Sequence, residues 1–276
     1  MNRPTPAADP SAQHARRPVA TPPEAWDAVL TGTKPVLLLD FDGTVCVGDE
    51  PVWAYADAVL SVLRTDGLPQ ADTISDELNS RLSDYLDGKP GQPTFVDGYM
   101  AVATLTEHVA TPAQRDRAYH LSRAALAQGT ITVSAPPGLA QLLAELAGSV
   151  WRVLATNAPA AGVASTLTTI GLDTGIDVMV TDVGKPAGWA AILPQLLADR
   201  DPRTVLSVGD IWRNDLAEPL AAGTATALID RFGHQSDPAA ATGPDFATLY
   251  PAIRAWAADP VDFALTHPVS NPVHRS

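Results

Sequence analysis

The stretch PVLLLDFDGTVCVG, residues 35–48, decides how this chain folds. Val36 to Leu39 are uninterruptedly apolar, with Pro35 before them and a glycine turn after. A strand buried on both faces of a parallel sheet has this pattern. It runs into two carboxylates, Asp40 and Asp42, on either side of Phe41, and Gly43 then permits a sharp turn. In an open α/β sheet, ligands bind beyond the carboxyl ends of the strands. Two acids two residues apart at such an end are placed for chemistry, although a lone pair serves as a polar turn equally well. The rest of the chain decides between the two.

Composition narrows the field. With 276 residues, 46% hydrophobic and 18% charged, the chain reads as a soluble globular protein of one large or two modest domains. The net charge of −13 and a pI near 4.7 argue against nucleic acid or an anionic membrane as partner. A phosphate-bearing substrate would therefore need a divalent cation, a placed lysine or helix N-termini to offset its charge. The single cysteine, Cys46, excludes an intrachain disulfide and fits a reducing cytosol. No apolar run approaches the roughly 18 residues that span a bilayer, and no apolar segment follows Arg16 and Arg17. The expected location is the cytoplasm.

Outward from residues 35–48, residues 1–24 are rich in Pro, Ala and Ser without periodicity and read as a disordered lead-in. From residue 49 to 129 four amphipathic helices are expected and no strand. Trp53, Ala56, Leu60 and Leu63 mark the first, and Ile74, Leu78, Leu82 and Tyr85 the second. Phe95, Tyr99, Val102 and Val109 mark the third; Thr111-Pro112 opens the fourth, with Ala118, Leu121 and Ala125 on its stripe. An insert of about 80 residues is too long for a plain loop and reads as a helical cap. Strands and helices then alternate: strands over 151–155, 176–180, 204–208 and 225–229, and a last helix over 245–257. The expected fold class is α/β, a doubly wound, Rossmann-like parallel sheet. Its core comprises residues 25–48 and 130–257, the cap residues 49–129, and 258–276 form a polar tail.

The later strands also end in polar groups: Thr156-Asn157, Lys185 in a Gly-Lys-Pro loop, and Asp210 with Asp215. A parallel sheet brings all these ends to one edge. Crowded carboxylates repel one another unless a cation sits among them, and hard oxygen donors suit Mg²⁺. One carboxylate can attack phosphorus, and a second, partly protonated, can serve the leaving oxygen and then water. Thr156 and Lys185 would hold phosphoryl oxygens and offset the charge that develops in transfer.

With these residues in place, the chain resembles the haloacid dehalogenase (HAD) superfamily over about residues 35–231, in its phosphoglycolate phosphatase and β-phosphoglucomutase-like branch. DFDGTV is similar to the family's first motif, VLATNAP to the second, GKP to the third and VGDIWRNDLAEPLAAG to the fourth. The resemblance implies Asp40 as nucleophile, and Asp42 as general acid/base and, through its backbone carbonyl, a metal ligand. It also implies Thr156 and Asn157 at the phosphate, Lys185 at both nucleophile and phosphate, and Asp210 and Asp215 at the metal. The insert is similar to the family's helical type of cap. Two positions depart from the pattern: Val45 stands where many relatives have Leu, and Ile211 where a small hydroxyl residue is usual.

The expected function is a Mg²⁺-dependent phosphatase acting on a small phosphorylated metabolite, as a monomer or homodimer. A phosphosugar mutase shares every core motif, and a non-catalytic binding module on the same scaffold is the rival from another class. Asp42 argues against a 2-haloacid dehalogenase, and a phosphonatase would require a cap lysine, of which Lys89 is the single example. The loop 87–94 is the expected selectivity element. Arg81, Lys89, Arg115 and Arg123 are candidates for a second anionic group on the substrate, and Trp212 and Arg213 for the site entrance.

Overall fold

The computed structural model describes residues 19–68, 71–91 and 95–269. It divides into two compact units, one over Gly48–Val133 and the other formed by the chain before and after it.

In the larger unit the described residues open with β1 (Val19–Thr21) and α1 (Pro23–Thr31), followed by β2 (Val36–Leu39). After the inserted unit come α6 (Leu139–Leu146), β3 (Trp151–Ala155), α7 (Ala160–Thr169), β4 (Val178–Thr181) and α8 (Trp189–Leu196). Then follow β5 (Val205–Gly209), a π-helical turn (Trp212–Leu216), α9 (Ala217–Ala221) and β6 (Ala225–Ile229). The last elements are β7 (Ala241–Gly243), α10 (Phe246–Ala258) and α11 (Pro260–Thr266).

Seven strands form one sheet in the order β1-β4-β3-β2-β5-β6-β7, parallel except for β1, which runs antiparallel on β4. The chain winds from β2 through β3 to β4, then returns to lay β5 on the other side of β2. The switch point thus lies at β2 and β5, where such sheets open a crevice at their carboxyl ends. All four β2 residues are buried, as the apolar run requires of a central strand. Val36 and Leu38 join a cluster with Val29 of α1 and Trp189, Ile192 and Leu196 of α8. Leu37 and Leu39 point to the opposite face by the alternation of the strand, and are equally buried.

The ends of the chain differ from expectation. Residues 1–18 of the expected disordered lead-in lie outside the described residues, but Val19–Thr21 pairs with Met179–Thr181 as an edge strand. Three residues carry no periodicity; only the open edge of β4 makes them a strand. The sheet closes with β7, not β6, and the expected polar tail contains α11, started by Asp259, whose side chain accepts from the N–H groups of Val261 and Asp262.

Arg200 anchors α1 to the core. Its buried guanidinium donates to the carbonyls of Val29 and Gly32, both at 2.6 Å, to Leu196 at 3.3 Å and to Lys34. The Val29 and Leu196 carbonyls are acceptors that the ends of α1 and α8 leave behind.

The inserted unit consists of α2 (Glu50–Thr65), α3 (Ala71–Leu86), α4 (Gly98–Leu105) and α5 (Pro112–Ala127), with α2 packed along α5 and α4. At the start of α5, Thr111 and Gln114 form a reciprocal capping box: the Thr111 hydroxyl accepts from Gln114 N–H at 3.3 Å, and Gln114 Oε1 from Thr111 N–H at 2.9 Å. The buried stripe of α5 is Ala118, Ser122, Arg123 and Leu126, whereas Leu121 is 51% exposed. The apolar stripe expected through Leu121 is therefore misplaced by about one residue. Ser122 can lie inside because its hydroxyl donates to the Tyr119 carbonyl, and Arg123 because its long apolar stem covers core while Nη1 lies 3.4 Å from the Tyr99 hydroxyl.

Replacing Arg200 with Met should strip four carbonyls of their donor while filling the same space. The expected loss is about 3 kcal/mol of unfolding free energy, read as a lower urea midpoint with unchanged slope.

Candidate active site

The turn after β2 is held by its own backbone. Phe41 carbonyl accepts from the N–H groups of Thr44, Val45 and Cys46, at 3.3, 3.0 and 2.9 Å, and Gly43 N–H donates to Cys46 carbonyl at 3.0 Å. Gly43 has φ +79°, and a Cβ there would stand 2.2 Å from Asp210 Oδ2. Glycine is therefore required twice at this position, for its left-handed backbone and for the approach of the β5 loop. Gly209 serves the same end: a Cβ on it would meet Asp215 Cβ at 2.3 Å.

The consequence is that three of the expected acids converge. Asp40, Asp210 and Asp215 each present an oxygen within 4.8 Å of the others. Lys185 Nζ reaches into the same space and donates to Asp40 Oδ1 at 2.5 Å and Asp215 Oδ1 at 2.6 Å. Asp215 Oδ2 accepts from Ile211 N–H at 3.0 Å, so both oxygens of this buried carboxylate are engaged. The carboxylate of Asp42 is not one of the trio; it is half-buried in the turn, two residues beyond Asp40.

Electrostatics follow from the crowding. Burial and then the charge of Asp215 push the Asp40 carboxyl up to about 7, against the pull of Lys185. Burial works against the Lys185 ammonium, but Asp215 and Asp40 outweigh it and hold the amine above its ordinary pKa. Three carboxylates facing one ammonium leave an excess of negative charge. That excess, and the all-oxygen donor set, fit a hard divalent cation, for which Asp40, Asp210 and Asp215 are the candidate side-chain ligands.

The neighbouring loops hold these groups in place. Thr156 is buried, and its hydroxyl oxygen accepts from Ala158 N–H at 2.9 Å, which leaves the hydroxyl hydrogen to donate elsewhere. It does not cap α7, whose N-terminus begins with Pro159. Asn157, expected at the phosphate, turns its side chain to the main chain of Lys185. Its carboxamide oxygen accepts from Lys185 N–H at 2.6 Å and its amide donates to Lys185 carbonyl at 3.1 Å. Both ends of the amide grip the main chain of Lys185, so this side chain positions the lysine. Trp189 Nε1 donates to Asn214 carbonyl at 2.6 Å and ties α8, which follows the lysine's loop, to the π-helical turn carrying Asp215.

Of the expected entrance residues, Trp212 turns its indole N–H to Pro238 carbonyl at 3.1 Å, and Arg213 is exposed. In the inserted unit, Arg81 lies 3.6 Å from Glu77, Lys89 donates to Asp84 at 2.5 Å, Arg115 donates to Ala110 carbonyl, and Arg123 is buried beside Tyr99. These cations thus have partners in their own unit. Part of loop 87–94, at 92–94, lies outside the described residues. One contributor was not expected: Gln235, in the loop after β6, donates to Asp210 carbonyl at 2.9 Å. No motif marks it.

No protein-family model and no curated protein sequence matches this chain. Solved structures do. A Bacillus subtilis protein, YfnB, described as a HAD hydrolase and solved with magnesium, aligns over 80% of this chain and 98% of its own, with TM-score 0.52 at 16% identity. A Haemophilus somnus protein predicted to be a phosphoglycolate phosphatase aligns over 81% and 99%, with TM-score 0.53 at 18% identity. A HAD phosphatase from Thermococcus onnurineus aligns over 79% and 97%, with TM-score 0.50 at 19% identity. At such identities it is the path of the chain that is shared, and this chain has the fold of the haloacid dehalogenase (HAD) superfamily hydrolases.

Proposed function

We propose that this protein is a Mg²⁺-dependent phosphatase that hydrolyses a small, soluble phosphomonoester through an aspartyl-phosphate on Asp40. The observation that carries the reading is the Lys185 ammonium between Asp40 and Asp215, with Asp210 beside them, at the carboxyl ends of β2 and β5. A structural ion pair needs one acid and one base; a third carboxylate in the same space is a cost that binding a cation removes.

In this reading Asp40 attacks phosphorus and Asp42, two residues further along the turn, protonates the departing alcohol oxygen. Asp42 then takes a proton from the water that cleaves the acyl phosphate, returning Asp40 as carboxylate. Lys185 favours the ionised form of Asp40 against burial and Asp215 and offsets charge on the phosphoryl oxygens, and the Thr156 hydroxyl donates to one of them. Asp40, Asp210 and Asp215 would hold the metal ion, which supplies charge neutralisation for the phosphoryl group when bound. The second acid favours phosphoryl transfer over dehalogenation, which has no leaving alcohol to protonate. The net charge of −13 and single cysteine support a cytosolic enzyme acting on a metabolite, with no nucleic acid or membrane partner. No helix of the described residues is long and apolar enough to cross a membrane.

Three outcomes test this. With p-nitrophenyl phosphate and Mg²⁺, Asp40→Asn should abolish turnover and Asp42→Asn should lower kcat by about 10²–10⁴-fold; a folded Asp40→Asn protein retaining wild-type rates would end the proposal. Mg²⁺ at a hundredfold excess over its Kd should stabilise the wild type by about 2.7 kcal/mol, seen as a higher Tm, and Asp210→Asn should lose that gain. In metal-free protein, the raised Asp40 pKa means that the folded state holds its proton more tightly than the unfolded one. Its contribution is therefore complete below the ordinary carboxylate range and is lost as pH rises through about 7. Tm measured between pH 5 and 8 without metal should fall more steeply for wild type than for Asp40→Asn.

A further inference from the structure

We propose that Gln235 is a positioning residue that sets the direction of the Asp210 carboxylate and thereby the affinity of the site for its divalent cation. The inference rests on the metal-dependent reading above and concerns a residue outside every motif.

Asp210 is the first residue beyond β5, and Ile211 after it has no polar side-chain atom with which to hold the turn. Beside the bond from Ile211 N–H to Asp215 Oδ2, a carboxamide from a distant loop holds the turn. Gln235 Nε2 donates to Asp210 carbonyl at 2.9 Å, and Gln235 Oε1 accepts from Trp212 N–H at 3.3 Å. The amide therefore spans Ile211 and pairs with the main chain on both sides of it, as a neighbouring strand would. Fixing the Asp210 carbonyl and the Trp212 N–H restricts the rotation of the backbone between them. The Cα–Cβ bond of Asp210 takes its direction from that backbone, which aims the carboxylate toward Asp40 and Asp215.

Gln235 is itself tethered. Its N–H donates to Asp230 Oδ2 at 3.0 Å, and His234 N–H donates to Asp230 Oδ1 at 3.0 Å. Asp230 is buried just past β6, and its own N–H reaches Gly243 carbonyl in β7 at 2.8 Å. The Trp212 indole bond to Pro238 adds a second clamp between the same two loops. Rigidity thus passes from the sheet through Asp230 and Gln235 to Asp210. Both ends of the Gln235 amide are occupied, which favours a supporting role over direct contact with substrate. Groups that orient metal ligands in this way typically govern affinity by about 10–100-fold.

The test is a calorimetric titration of MgCl₂ into metal-free, full-length protein, with Tm and kcat measured in parallel. Gln235→Met keeps the length of the side chain and removes both hydrogen bonds; Asp230→Asn leaves Gln235 in place and loosens its tether. Gln235→Met should weaken the Mg²⁺ dissociation constant by about 10–100-fold. The two lost hydrogen bonds should lower its metal-free Tm by a few degrees, and kcat at saturating Mg²⁺ should return to within about twofold. Asp230→Asn should weaken binding in the same direction by a smaller factor. Wild-type affinity in Gln235→Met, or a kcat that saturating Mg²⁺ does not restore, overturns the inference alone. A folded wild type that takes up no Mg²⁺ overturns the metal reading, and this inference with it.

Discussion

The Lys185 ammonium, buried between Asp40 and Asp215, is the interaction on which the rest of the larger unit depends. Removing an ammonium and several carboxylates from water is costly, and the attraction between them repays this only where hydrogen bonds are short and complete. The chain meets the condition for Lys185 and Asp215. Asp215 uses one oxygen for the lysine and the other for Ile211 N–H, and its carbonyl also accepts the Ser207 hydroxyl at 2.8 Å. Asp40 is left with a carboxyl pushed up to about 7, because burial and Asp215 outweigh what one lysine can offset. The imbalance is the chemical content of the site. A divalent cation among these oxygens would relieve it.

Such a cluster needs rigid supports, and the loops at the sheet edge supply them through main-chain contacts. Asn157 grips the backbone of Lys185 from the β3 loop, Trp189 ties the following helix to the π-helical turn, and Gly43 and Gly209 clear space that any side chain would fill. In each case a residue that carries no charge decides where a charged one points. These supports converge on the ends of β2 and β5, where the winding of the sheet reverses.

The sequence by itself determined the strand Val36–Leu39, the alternation that makes the sheet, the helical insert and the N-cap at Thr111. It also determined that Asp40, Asp42, Thr156, Lys185 and Asp210 would follow strand ends. These are properties of local composition and period, and a parallel sheet turns them into one edge without further information. Only the tertiary structure decided that Val19–Thr21 would become a strand, that Arg123 and not Leu121 would face inward on α5, and that Asn157 would serve Lys185. Gln235 belongs with these: nothing around it repeats or caps, and its meaning comes from a carbonyl 25 positions away. The physical reason is common to all of them. A short edge, a buried polar side chain and a side-chain bond to a distant backbone have no period, and their free energy exists only when the folded chain brings the partner within hydrogen-bonding distance.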